Sequence, residues 1–216
     1  MIEPLSLTTA DGVAIEAELS VPEQPWASAV LTHPHPLHGG NMRSIVPGAL
    51  FAALPQAGVA ALRFNFRGVG ASEGRYDHGR GEGLDVAAAI DSLASITEGL
   101  PLLLAGWSFG ADVALTVDDE RLSGWMAVAP PLRTVDSDGS ARSAGWVASR
   151  DPRPTLIVVP EHDQFRNPAS AAEATRGWVA TRIEVVPGAD HFLVGRTDRV
   201  VELAVSFLHE LAAIPT

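Results

Sequence analysis

An apolar run, Leu100-Pro101-Leu102-Leu103-Leu104-Ala105, leads directly into Gly106-Trp107-Ser108-Phe109-Gly110, and a helix-compatible segment from Phe109 to Val117 follows. A G-x-S-x-G turn between a buried strand and a helix is the setting of a nucleophile elbow, so sharp that the serine hydroxyl stands clear of the sheet edge. Gly106 and Gly110 leave no side chain where strand and helix crowd together. The Phe109 N–H falls at the start of the helix, where unpaired donors and the helix dipole favour a developing negative charge. A strand feeding a helix in this way belongs to a sheet layered with helices. The serine alone is a weak nucleophile, so a base and an orienting acid must come from elsewhere in the chain.

The rest of the chain repeats the strand–helix alternation. Val13 to Leu19 sets Val13, Ile15, Ala17 and Leu19 against Glu16 and Glu18, a half-exposed strand. The Asp11-Gly12 turn pairs it as a hairpin with Leu5 to Thr8. Ala27 to Thr32 reads as a buried strand, Ser44 to Gln56 as a helix stopped by Gly58, and Val59 to Phe66 as the next strand. Gly68 to Gly83 reads as a glycine-rich loop, and Leu84 to Thr97 as a helix with Val86, Ile90 and Leu93 on one face. After the elbow, Trp125 to Ala129, Thr155 to Val159 and Arg182 to Val186 read as strands. Ala169 to Ala180 and the stripe Val200, Leu203, Ala204, Phe207, Leu208, Leu211 read as helices. Apolar strands alternating with helices predict a mostly parallel sheet covered on both faces. Ligands then bind beyond the carboxyl ends of the strands.

A length of 216 residues with 46% hydrophobic content suits a single domain, residues 1–216, with a substantial core. The net charge of −11 argues against nucleic acid or an anionic membrane as partner, because both select basic surfaces. The absence of cysteine removes disulfides, thiolate metal sites and a cysteine nucleophile together. Met1-Ile2-Glu3-Pro4 has neither the basic nor the apolar region of a secretory signal, and no apolar run approaches the length of a membrane span, so a cytoplasmic location is expected.

Two later loops follow strands and carry the missing groups. Pro160-Glu161-His162-Asp163-Gln164-Phe165 holds Asp163, and Pro187-Gly188-Ala189-Asp190-His191-Phe192 holds His191. The order Ser108, Asp163, His191 is the one a serine–acid–histidine triad follows on this kind of sheet. His191 is the candidate base, and Asp163 the acid that would fix its tautomer. Glu161 and Asp190 compete for the acid role, and His162 for that of the base. An oxyanion site needs a second donor besides the Phe109 N–H. The loop His33-Pro34-His35-Pro36-Leu37-His38-Gly39-Gly40 offers His35 first and Leu37 second, since proline has no N–H.

With those segments in view, the chain resembles the small bacterial α/β-hydrolases akin to dienelactone hydrolases and short-chain esterases. The resemblance is carried by HPHPLHGGNM (His33 to Met42), RFNFRGVGASEG (Arg63 to Gly74), AGWSFGA (Ala105 to Ala111), EHDQF and GADHF, spread from residue 33 to 192. It implies an α/β-hydrolase fold with a core sheet of about eight strands, the first ones antiparallel, and a serine nucleophile needing no cofactor. It is a poor guide to substrate, because the superfamily hosts many chemistries. Lids in the superfamily enter where Pro130 to Pro154 lies here, a stretch too short for a large cap. An open, shallow site for a small acyl substrate is therefore expected, with Trp107 and Trp146 as walls, although Trp146 also reads as ordinary core.

The expected function is hydrolysis of a carboxylic ester or related activated acyl bond, with a serine peptidase or thioesterase as alternatives. Other classes are weighed against it. Gly68-Val69-Gly70-Ala71-Ser72-Glu73-Gly74 could be a dinucleotide fingerprint, but such a loop must open directly into a helix. His33, His35 and His38 have a spacing that can chelate zinc, but prolines interleave them and no carboxylate is near. A non-catalytic interaction protein would keep the fold without needing the triad. Oligomeric state is left open by the sequence.

Overall fold

The computed structural model describes residues 1–135, 141–142 and 145–214. In chain order the elements are β1 (Ile2–Thr8), β2 (Ala14–Ser20), β3 (Ala27–Thr32), α1 (Ile45–Ala53), β4 (Val59–Phe64), α2 (Arg80–Ile96), β5 (Leu102–Trp107), α3 (Phe109–Ala114) and β6 (Gly124–Val128). A small ribbon, β7 (Thr134–Val135) and β8 (Ala141–Arg142), precedes β9 (Thr155–Pro160), α4 (Pro168–Ala174), β10 (Thr181–Val186) and α5 (Thr197–Ala212).

Eight strands form one sheet in the order β1-β2-β4-β3-β5-β6-β9-β10. The hairpin β1–β2 is antiparallel and attaches antiparallel to β4, while the remaining neighbours are parallel. Crossover helices leave both sheet faces to be covered, which is why the inner strands are apolar on both sides. Along β5, Leu102 and Leu104 point into one core and Leu103, Ala105 and Trp107 into the other; β6 and β9 divide their residues the same way. Helices α1 and α5 cover the second face, and α2, α3 and α4 contribute to the first. Among the described residues no helix is long and apolar enough to cross a membrane.

The sequence misplaces three helix ends. Helix α2 begins at Arg80, inside the stretch expected to be loop. Its start is held by the buried Glu82, whose carboxylate accepts the Asp77 and Gly79 N–H groups at 2.8 and 2.7 Å. Gly81 is there for space, since a Cβ would lie 2.4 Å from the Arg67 guanidinium. That guanidinium donates to Asp85 and Asp11, tying α2 to the loop after β4 and to the first hairpin turn. Helix α4 ends at Ala174 rather than Ala180, because the Thr175 hydroxyl bonds back to Ala171 O and Gly177 turns the chain at φ 83°. Helix α3 stops at Ala114, short of Val117.

Candidate active site

The carboxyl ends of β3, β5, β9 and β10 come together, and each delivers one part of the site. Ser108 follows β5 with φ 55° and ψ −121°, a left-handed conformation that a non-glycine residue adopts only under strain. Its N–H is fastened to Val128 O of β6 at 2.9 Å. A Cβ on Gly106 would lie 2.4 Å from Thr32 Oγ1, and one on Gly110 would lie 2.4 Å from His33 O. Both motif glycines are thus required by close approach of β3 and its following loop.

The loops after β9 and β10 meet over this turn. The Ser108 hydroxyl lies 3.0 Å from His191 Nε2, and His191 Nδ1 lies 2.8 Å from Asp163 Oδ2. All three side chains are buried. The other oxygen of Asp163 accepts the Phe165 and Arg166 N–H groups at 2.7 and 3.1 Å, so the carboxylate cannot swing. The Trp107 indole N–H donates to His191 O at 3.2 Å, joining the elbow to the loop that holds the imidazole.

The competing residues are placed elsewhere. Glu161 accepts the Gly188 N–H at 2.7 Å and stitches the two loops together. Asp190 accepts the Phe192 N–H at 3.0 Å in its own turn, and His162 is exposed beside Glu161.

The loop after β3 is anchored by His33, which is fully buried. Its Nδ1–H donates to Pro34 O at 2.6 Å, and its Nε2 accepts the Phe66 N–H at 2.9 Å. Both ring nitrogens are therefore occupied, which removes His33 from any zinc site with His35 and His38. Burial pushes His33 down to about 4 from 6.5. The unfolded chain then binds this proton more tightly than the folded one, so stability falls as pH drops through 6.5 towards 4. Urea unfolding at about pH 7.5 and about pH 5 is expected to show that loss, and His33→Gln should shrink it by about 2 kcal/mol. An equal loss in both proteins would refute it.

Of the two donors expected from this loop, His35 lines the cavity beside Ser108 and Leu37 does not. The Leu37 N–H is committed to His35 Nδ1 at 3.2 Å, and its side chain points into solvent. Leu37 is therefore corrected to a residue that orients the His35 ring. Burial, with His38 and His78 nearby, lowers the His35 pKa, in keeping with an imidazole that accepts a hydrogen bond.

A cavity of about 700 Å³ opens above Ser108, within the range of ordinary ligand pockets and roomier than a small acyl group needs. Trp107, Phe109, His35, Tyr76, Phe165 and Phe192 line it. Trp146 does not. It is buried against Trp178, ring centroids 5.6 Å apart, on the α4 side of the sheet, so its reading as a wall is corrected to core packing.

Two residues escaped the sequence reading. Asp112, four residues after Ser108 on α3, is buried at the cavity floor, where its carboxylate accepts the Leu132 and Arg133 N–H groups at 2.8 and 2.7 Å. Desolvation pushes it up to about 7. Arg166 clamps Pro131 O from the acid loop at 2.8 and 3.1 Å. An acidic residue in an otherwise apolar helix was the available signal for Asp112; nothing local marks Arg166.

The Gly68–Gly74 run after β4 does not open directly into a helix, because α2 starts only at Arg80. Its Ala71 N–H and the Asn65 amide both donate to Glu16 Oε2, at 2.9 and 2.6 Å, so a carboxylate of the protein fills the place a pyrophosphate would need. These bonds hold Glu16 below the usual carboxylate range, the Ala71 N–H being the main cause.

Residues 28–211 match the family model described as an alpha/beta hydrolase domain. The chain belongs to the alpha/beta hydrolase family. An alpha-beta serine hydrolase homologue from Coxiella burnetii superposes on this α/β hydrolase with a TM-score of 0.81 at 31% identity, covering 95% of this chain and 97% of that one. A serine hydrolase without lid from Xanthomonas campestris gives 0.79 at 26%, covering 99% and 97%. An uncharacterized protein of Rickettsia prowazekii (strain Madrid E) is 30% identical over 191 residues, spanning 84% of this α/β hydrolase and 77% of the relative. The chain is accordingly a hydrolase with the family's sheet, and the described residues form no large lid.

Proposed function

We propose that this α/β hydrolase cleaves a carboxylic ester, or a related activated acyl bond, of a small substrate through an acyl-enzyme on Ser108. The observation that carries this reading is the unbroken relay of 3.0 Å from hydroxyl to imidazole and 2.8 Å from imidazole to carboxylate. Those distances let His191 Nε2 take the Ser108 proton as Oγ attacks the substrate carbonyl. Negative charge then grows on the carbonyl oxygen, which the Phe109 and His35 N–H groups are assigned to hold. As the tetrahedral species collapses, the bond to the leaving oxygen breaks and Nε2 returns the proton to it. A water repeats both steps and frees the acid. Asp163 keeps the Nδ1–H directed at itself and offsets the positive charge of the imidazolium.

Fluorophosphonate labelling with mass-spectrometric site mapping tests this reading. One adduct on Ser108, with loss of turnover on a p-nitrophenyl acetate-to-octanoate panel in proportion to labelling, is expected. An adduct elsewhere, or full turnover after complete labelling, rejects it.

A further inference from the structure

We propose that the leaving group of the natural substrate is an aromatic alcohol seated against Phe165 and Phe192, a statement that rests on the Ser108–His191 reading above. Whatever group departs must receive its proton from His191 Nε2, so its oxygen lies beside that atom and the rest of it exits along the imidazole. Two rings already stand there. Phe165 meets the imidazole at 4.5 Å between centroids and 67° between planes, and Phe192 at 5.7 Å and 89°. Both line the cavity, yet 51% of Phe165 and 50% of Phe192 remain exposed. Exposed phenylalanines beside a buried relay leave apolar surface unpartnered until substrate covers it.

The backbone that carries each ring is fixed. The Phe165 N–H is bonded to Asp163 and the Phe192 N–H to Asp190, so the loops that position the acid and base also position the rings. Ile45 from α1 and Pro131 add apolar wall to the same cavity. A sugar or amino alcohol leaving this way would set its polar groups against rings that offer no hydrogen bond. A flat ring instead gains edge-to-face contacts in addition to burial.

The test compares benzyl acetate with cyclohexylmethyl acetate on the full chain. Their acyl groups are identical and their alcohols nearly so in size and acidity, so the chemistry cancels in the ratio of kcat/KM values. Contacts of this kind predict a preference for the benzyl ester of about fivefold. In Phe165→Leu, Phe192→Leu and the double variant the ratio should fall towards one; taken within each protein, it is insensitive to a general loss of activity. A wild-type ratio of one or less overturns the proposal, as does a preference unchanged in the double variant. If neither ester turns over while Ser108 still takes the fluorophosphonate, the aromatic leaving group fails and the serine-hydrolase reading stands. If Ser108 takes no label, that reading fails first.

Discussion

Ser108→Ala is expected to lower kcat on p-nitrophenyl butyrate by about a millionfold, and His191→Ala by a similar factor. The two losses should not multiply. Ser108 and His191 form one hydrogen-bonded unit, so under the proposed mechanism removing either disables the proton transfer that the other serves. The double variant is therefore expected to be no slower than the worse single one, with residual rate supplied by the oxyanion donors and by binding. The loss should not reflect unfolding. Among the described residues the Ser108 hydroxyl bonds only to His191, and alanine keeps the backbone N–H that holds the elbow to β6. Thermal melts close to wild type would confirm that. Turnover by Ser108→Ala at the wild-type rate, or a double variant slower by the product of the two single losses, would each defeat the assignment.

What could be read from the sequence follows a physical division. Strands β3, β5, β6 and β9 are buried on both faces, so their composition alone nearly fixes their ends. The elbow was legible because strand, turn and helix are adjacent in the chain and steric crowding demands glycine on both sides of the serine. The rest depended on contacts between distant segments. Gly81 looked like a helix breaker, whereas it clears space for Arg67, fourteen positions earlier in the chain, inside a helix secured by Glu82. Trp146 could have faced the cavity or the core, and only its packing on Trp178 decides for the core. Leu37 was eligible as a donor by elimination of the prolines, but His35, two residues before it, takes its N–H. Phe165 and Phe192 sat in plain view in the acid and base loops. Nothing in the sequence told that they would flank the imidazole, because side-chain direction in a loop is set by the bonds that close the loop.

Asp163→Asn is expected to cost about 10⁴-fold in kcat near neutral pH, less than Ser108→Ala yet far more than the loss of one hydrogen bond. The reason lies in the oxygen that does not touch the histidine. Asp163 Oδ1 accepts two backbone N–H groups, from Phe165 and Arg166, so an asparagine must keep its carbonyl there; the flipped amide would set donors against donors. Its NH₂ is then forced towards His191 Nδ1, now 2.8 Å from a carboxylate oxygen. A donor at that point requires Nδ1 to accept, which places the ring proton on Nε2. Nε2 can then no longer take the proton of Ser108. The variant should therefore fold, retain substrate affinity within a few fold, and fail in the chemical step. Its pH profile should differ in shape from that of wild type, since the tautomer has been reversed rather than the ring lost. Steady-state kinetics across the pH range would read this directly. If Asp163→Asn retained a tenth or more of wild-type kcat, the carboxylate would not be orienting His191, and Asp163 would be reduced to a residue that closes its own loop.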